Sequence, residues 1–467
     1  MLPVTSHKSR VLSVFSLVMI NIIAIDSLRN LPINAEYGFA IVFFYLIASL
    51  FFLIPCALIS AELATFWPKT GGAYIWVREA FGPQFGFLNV WLQWVYNIVW
   101  YPTILAFVAV NIAYLTHPAL ATNKPFMVTC IIGLFILATL FNSLGMRLSG
   151  LISMLGTIFG TMLPMILMIV LGAIWLCSRP SMTPIHLSTF FPNFHHLQNI
   201  AFLIVILFSL MGIEMSAVHA EEVKNPRRDY PRALLISSIF IMLSLTLSSL
   251  AIAVVVPKSQ LTLLTGLNEA FGTFFVTYHM QWMLPVIEVF IILGAFACMA
   301  AWVIGPTKGL MTAALDGCAP RLFAKTNRFH APIGVLMTQT VIVVLLSLAF
   351  ILMPSVNGAY WFLSDLTAQF ALLYYLTLFA AAIFLRYKFP KRDKAFVIPG
   401  GKAGIWLVGG IGFLTSFFGI VIGFIPPTDV NIGHVFYYEI ALFAGLLLFC
   451  ILPFIIYQLC QTKECVL

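Results

Sequence analysis

Two stretches of this chain put ionisable side chains into runs that are otherwise apolar. Residues 208–232, FSLMGIEMSAVHAEEVKNPRRDYPR, carry an apolar run into Gly212 and Glu214 and end in a basic elbow containing Pro226 and Pro231. Residues 14–32, VFSLVMINIIAIDSLRNLP, hold Asn21, Asp26, Ser27, Arg29 and Asn30 ahead of Pro32. A charge at membrane depth is costly and marks a functional site by default. A glycine weakens the helix that contains it, and a spanning helix is interrupted only where it lines a cavity or is buried in protein. Each stretch therefore reads as half of a binding site inside a membrane bundle.

For Asp26 and Arg29 two readings stay open. At i, i+3 spacing they could pair on one helical face and tie two helices together. Alternatively the segment is a discontinuous helix whose freed backbone groups face a ligand. Glu62 reads as a gate contact or as a polar residue at a helix end. Trp302, ahead of an expected break at Gly305 and Pro306, fits an interfacial belt or an aromatic pocket wall. Asp365, in YWFLSDLTAQF, is a further buried carboxylate, expected towards the outer end of its span.

The elements that must position these residues follow from composition. Of 467 residues, 61% are hydrophobic and 9% charged, against about 25% charged in soluble domains. The fold class is an all-α polytopic membrane protein. Runs of roughly 20 apolar residues give twelve spans, near 11–32, 39–65, 86–115, 126–145, 151–177, 199–219, 233–256, 283–307, 332–353, 359–386, 403–425 and 435–460. Lys124, Arg179 and Lys258 fall outside and Arg29 is left in the membrane; every other Lys and Arg lies on the inner side. That asymmetry puts both termini in the cytoplasm. Residues 74–81 are expected to form a short amphipathic helix along the inner surface, and residues 258–281 a helical segment able to cover the pathway. The short tail after the last run gives no expectation of an added domain.

The same residues weigh against other classes. The net charge of +8 is dispersed through short loops, which fits orientation in a membrane and not a nucleic acid partner. The eight Cys are scattered without a CxxC pair, so they read as buried small hydrophobes. His195 and His196 adjoin one another with no further ligand spaced for zinc. No metal, cofactor or catalytic set is expected. A channel would show a polar stripe along a pore, whereas the polar residues here concentrate in two interrupted spans. The fifth span has no ionisable residue; Ser149, Ser153 and Thr157 are among the hydroxyls in or beside it that a sodium site could draw on.

Several motifs together resemble the amino acid–polyamine–organocation transporters. Glu62 and Leu63, the turn Pro68 to Gly72, and Ala80 to Gly82 are similar to that family's signature between the second and third helices. Residues 212–226, with Pro231 to Ala233, are similar to its sixth-helix signature. Residues 302–310, 398–402, 424–427 and 437–439 resemble its bacterial glutamate/γ-aminobutyrate antiporter branch.

The resemblance implies a leucine-transporter-type fold of five plus five inverted spans and two peripheral helices. Residues 11–177 and 199–386 would be the repeats, 403–460 the last two helices, and 1–10 and 461–467 cytoplasmic ends. It implies amino acid transport by alternating access in the bacterial inner membrane, with Ile25, Asp26, Ser27, Ser209, Leu210, Met211 and Gly212 unwound around the substrate. Trp302 would face the pocket. Arg29, Glu62, Glu214 and Asp365 are expected to act as gating or structural charges. Lipid and a small amino acid are the expected partners.

Overall fold

A computed structural model describes residues 12–67, 72–144, 156, 158–192, 203–390, 396–427 and 430–462. Ser149, Ser153, Thr157, His195, His196 and most of the expected turn at 68–72 lie outside the described residues. Ten helices are long and apolar enough to cross a membrane: Gly38–Phe66, Pro83–Thr116, Lys124–Ser143, Ile158–Ser178, Pro226–Val255, Gln281–Leu315, Ile333–Leu352, Val356–Lys388, Gly401–Gly423 and Val435–Gln461. A bent pair, Val14–Ile25 with Leu28–Ala35, and the shorter Leu203–Ala217 supply the first and sixth of the twelve expected spans. Among the described residues there is no strand, only one bridge between Leu12 and Val223.

The third span, Pro83–Thr116, is the axle of the bundle. It is buried along most of its length and packs against the eighth, tenth, fourth and twelfth spans. The eleventh and twelfth spans expose long apolar faces instead, as lipid-facing helices do. The eighth helix corrects one expectation. Leu284–Leu315 runs straight through Gly305 and Pro306 without a break. Thr307 Oγ1 donates to the Val303 carbonyl within that stretch, a local hydroxyl of the kind that supports a proline-containing spanning helix.

Two expected helices form. Ala73–Phe81 is the short helix, packed against the third and tenth spans, and Gly266–Thr277 forms between the seventh and eighth spans. Asn268 on the latter donates to Glu288 Oε1 at 2.7 Å and to Asn111 Oδ1 at 3.1 Å, joining it to the eighth and third spans. Asp316, after the eighth helix, accepts from Tyr74 and Arg78 of the short helix.

Glu62 resolves into a buried ion pair. Arg386 Nε donates to Oε1 at 2.9 Å and Arg386 Nη2 to Oε2, a bidentate fork. The Ile398 amide donates to the same carboxylate at 2.9 Å, and the Phe396 amide to Thr65 Oγ1 at 3.0 Å. The second span, the end of the tenth and the segment before the eleventh are thereby locked together. Both side chains are almost wholly buried, so removing one partner leaves an uncompensated charge. Glu62→Gln is expected to destabilise the folded protein by about 3–5 kcal/mol, read as a lowered unfolding midpoint in detergent. A double replacement of Glu62 and Arg386 by apolar residues of similar volume should recover much of that loss.

Candidate functional site

The first span stops at two short polar residues, Asp26 and Ser27. Helix Val14–Ile25 closes with the Asp26 amide on the Ile22 carbonyl, and Asp26 and Ser27 are then extended. Short polar side chains of this kind favour helix ends over helix interiors. The chain re-forms helix at Leu28–Asn30 and Leu31–Ala35, bent by 42° from the first half.

The sixth span breaks opposite. Helix Leu203–Ser209 gives way to Gly212, whose φ of 115° lies in the left-handed region that glycine alone enters readily. The chain continues as the tighter helix Ile213–Glu222. A Cβ on Gly212 would meet the Trp302 ring at 3.2 Å and Ile25 Cγ1 at 3.4 Å. Both interruptions and the eighth span therefore meet at one point.

A single tyrosine holds the second break. The Tyr375 hydroxyl, from the tenth span, accepts from the Gly212 amide at 2.8 Å and donates to Glu214 Oε2 at 2.6 Å. On the other side, Trp302 Nε1 donates to the Ala24 carbonyl at 3.2 Å, in the last turn before the first break. Backbone groups released by unwinding are thus taken up by side chains from the tenth and eighth spans.

Between the breaks lies a half-open cavity, with about 470 Å³ free of atoms in it and at its mouth. Its walls are Ala24, Ile25, Ser27, Asn30, Tyr96, Asn97, Trp100, Phe208, Met211, Cys298 and Trp302. Of the expected site residues, Ile25, Ser27, Met211 and Trp302 line it, so Trp302 is a pocket wall and no interfacial belt. Ser209, Leu210 and Gly212 shape the break from behind, and the Asp26 side chain turns away. Tyr96, Asn97 and Trp100 came from the third span, where WVYNIVWY (94–101) already set one amide among aromatic residues. Phe208 and Cys298 carried no comparable signal.

The buried charges correct one reading. Asp26 and Arg29 do not pair: the extended backbone at 26–27 sends them to opposite sides. Asp26 Oδ2 accepts from Ser244 of the seventh span at 2.9 Å. Arg29 Nη1 donates to Thr103 of the third span at 2.9 Å and to Ser364 of the tenth at 3.1 Å. Asp365, expected towards a span end, is fully buried and accepts from Tyr438 of the twelfth span and from Gln369.

A polytopic helical bundle in which two interrupted spans close on a small-molecule cavity has the architecture of a membrane transporter. A family model for amino acid permeases matches residues 11–446. The chain belongs to the amino acid permease family, within the transporter superfamily that its motifs resemble. An uncharacterized transporter of Legionella pneumophila is 50% identical over 450 residues, covering 96% of this chain and 97% of the relative. A glutamate/γ-aminobutyrate antiporter of Lactococcus lactis is 29% identical over 458 residues, covering 96% and 90%. A protein of the same species named as a probable agmatine/putrescine antiporter is 25% identical over 371 residues, covering 78% of each chain.

Two outcomes follow from this geometry. Gly212→Leu forces a side chain into Trp302 and Ile25 at a backbone angle it resists, so uptake should vanish while folded protein is still recovered in detergent. Normal transport by that variant would remove the sixth span from the site. Glu214→Gln and Tyr375→Phe weaken the clamp on the break without touching the cavity. Each should lower the exchange rate more than the apparent affinity, and Tyr375→Phe should also cost about 1–3 kcal/mol of stability; a pure affinity loss would speak for direct contact with substrate.

Proposed function

We propose that this protein is an amino acid antiporter of a bacterial cell membrane, with both termini cytoplasmic, working by alternating access. The observation that carries the reading is the meeting of two helix breaks at one cavity walled by aromatic residues and three small polar ones. In this reading the two five-span repeats, 11–177 and 199–386, rock about that cavity, and 403–460 stay peripheral. The substrate α-carboxylate meets backbone amides where the first span resumes after Ser27, because a half-helix N-terminus favours an anion. The ammonium group meets carbonyls at Ser209 to Met211. Antiport of a glutamate- or γ-aminobutyrate-like substrate is supported by the name of the Lactococcus relative, which aligns with nearly the whole chain.

Counterflow in proteoliposomes tests this. Efflux of a preloaded radiolabelled amino acid should depend on a transported amino acid outside and change little when sodium is replaced by potassium. Brisk uptake into empty liposomes that follows an imposed sodium or proton gradient would replace antiport by coupled symport.

A further inference from the structure

Arg29 is a cation sealed into the bundle without an anion. It is 1% exposed. Its neighbours are two hydroxyls, Thr103 and Ser364, and two aromatic rings, Phe208 and Tyr360, each with its centroid 5.5 Å from the guanidinium carbon. The Tyr360 hydroxyl donates to the Arg29 carbonyl at 3.2 Å, and its oxygen also faces the guanidinium. Carboxylates that could neutralise the cation are engaged elsewhere: Asp26 with Ser244, Glu214 with Tyr375, Asp365 with Tyr438 and Gln369. Cation–π contacts and hydroxyls compensate a buried guanidinium only in part.

The atoms left over have a definite shape. Both Nη1 bonds are used, while Nε and Nη2 have no hydrogen-bond partner among the described residues. Those two N–H groups are parallel and form the edge of a guanidinium that grips both oxygens of one carboxylate. The same chain shows that edge in use, since Arg386 holds the two oxygens of Glu62 with Nε and Nη2. What Arg386 has filled, Arg29 has open.

The guanidinium stands behind one wall of the cavity. Ser27 and Asn30, which flank Arg29, line it, and so does Phe208, on whose ring the guanidinium rests. We infer that Arg29 is a specificity-determining residue, whose Nε–Nη2 edge receives a carboxylate carried by the transported molecule in addition to its α-carboxylate. Phe208 is the partition, and a turn of that one side chain joins edge and cavity. Substrates with a second carboxylate then satisfy the buried cation, and their amide analogues leave it unmatched. This rests on the proposed amino acid exchange and assigns one residue to choosing among substrates.

The test is a set of ratios. Proteoliposomes holding the full chain and labelled internal amino acid are challenged from outside with glutamate against glutamine, and with aspartate against asparagine. In the wild-type protein the acid of at least one pair should drive efflux at a concentration at least about tenfold lower than its amide, a factor equal to about 1.4 kcal/mol of charge-assisted contact. Arg29→Gln should bring that ratio close to one. Arg29→Lys, which keeps the charge and loses the fork, should fall between. A wild-type ratio near one for both pairs overturns the assignment, and so does a ratio that Arg29→Gln leaves intact. If Arg29→Gln does not fold, the wild-type and Arg29→Lys ratios decide. A shift of the thermal unfolding midpoint by glutamate but not glutamine in detergent reads the same contact without transport. Loss of exchange with every amino acid would therefore sink the transport reading separately.

Discussion

A chain crossing hydrocarbon keeps its backbone hydrogen bonds by staying helical, and two spans here give that up. The surrounding structure follows from making those gaps tolerable. Tyr375 answers the amide of Gly212, Trp302 answers the carbonyl of Ala24, and each comes from a span that stays continuous through the centre. The groups that close the gaps also set their size. Trp302 fills the space between Gly212 and Ala24 while forming a wall of the cavity, so repairing the backbone and shaping the site are one act.

Buried charge is handled in two ways. Where the second span, the tenth span and the segment before the eleventh converge, Glu62 and Arg386 neutralise each other and hold three segments. Elsewhere in the bundle, Asp26, Glu214 and Asp365 are met by hydroxyls from other spans, and Glu288 by the Asn268 amide of the helix between the seventh and eighth spans. A full ion pair fixes its partners strongly, because separating it strands two charges. Hydroxyl contacts are weaker and tie their spans less firmly.

Much of this was legible in the sequence, for reasons that differ by element. Membrane spans announce themselves through length and composition, and all twelve expected runs correspond to helical elements here. The breaks were legible because Asp26, Ser27 and Gly212 are poor residues for a helix interior. The partners of the charges were not, since Asp26 and Arg29 have the spacing of a helical pair and only the extended backbone between them sends them apart. Pro306 misled in the opposite sense, because a local signal for a break was overridden inside a tightly packed helix. Phe208 and Cys298 were invisible, as apolar residues in an apolar run differ only by which way they point.

The helix Gly266–Thr277 spans the gap between the seventh and eighth spans, yet its strongest fastening runs sideways. Asn268 is bolted to Glu288 and Asn111, side chains of the eighth span and the third. Below it, Gly266 approaches Pro32 so closely that an added Cβ would lie 3.0 Å from the proline ring. Such a helix is a lintel, carried by two standing posts, and the first span passes under it with no clearance. A first span that tilted away from the cavity would have to slide along that beam, and its swing would be a guided one.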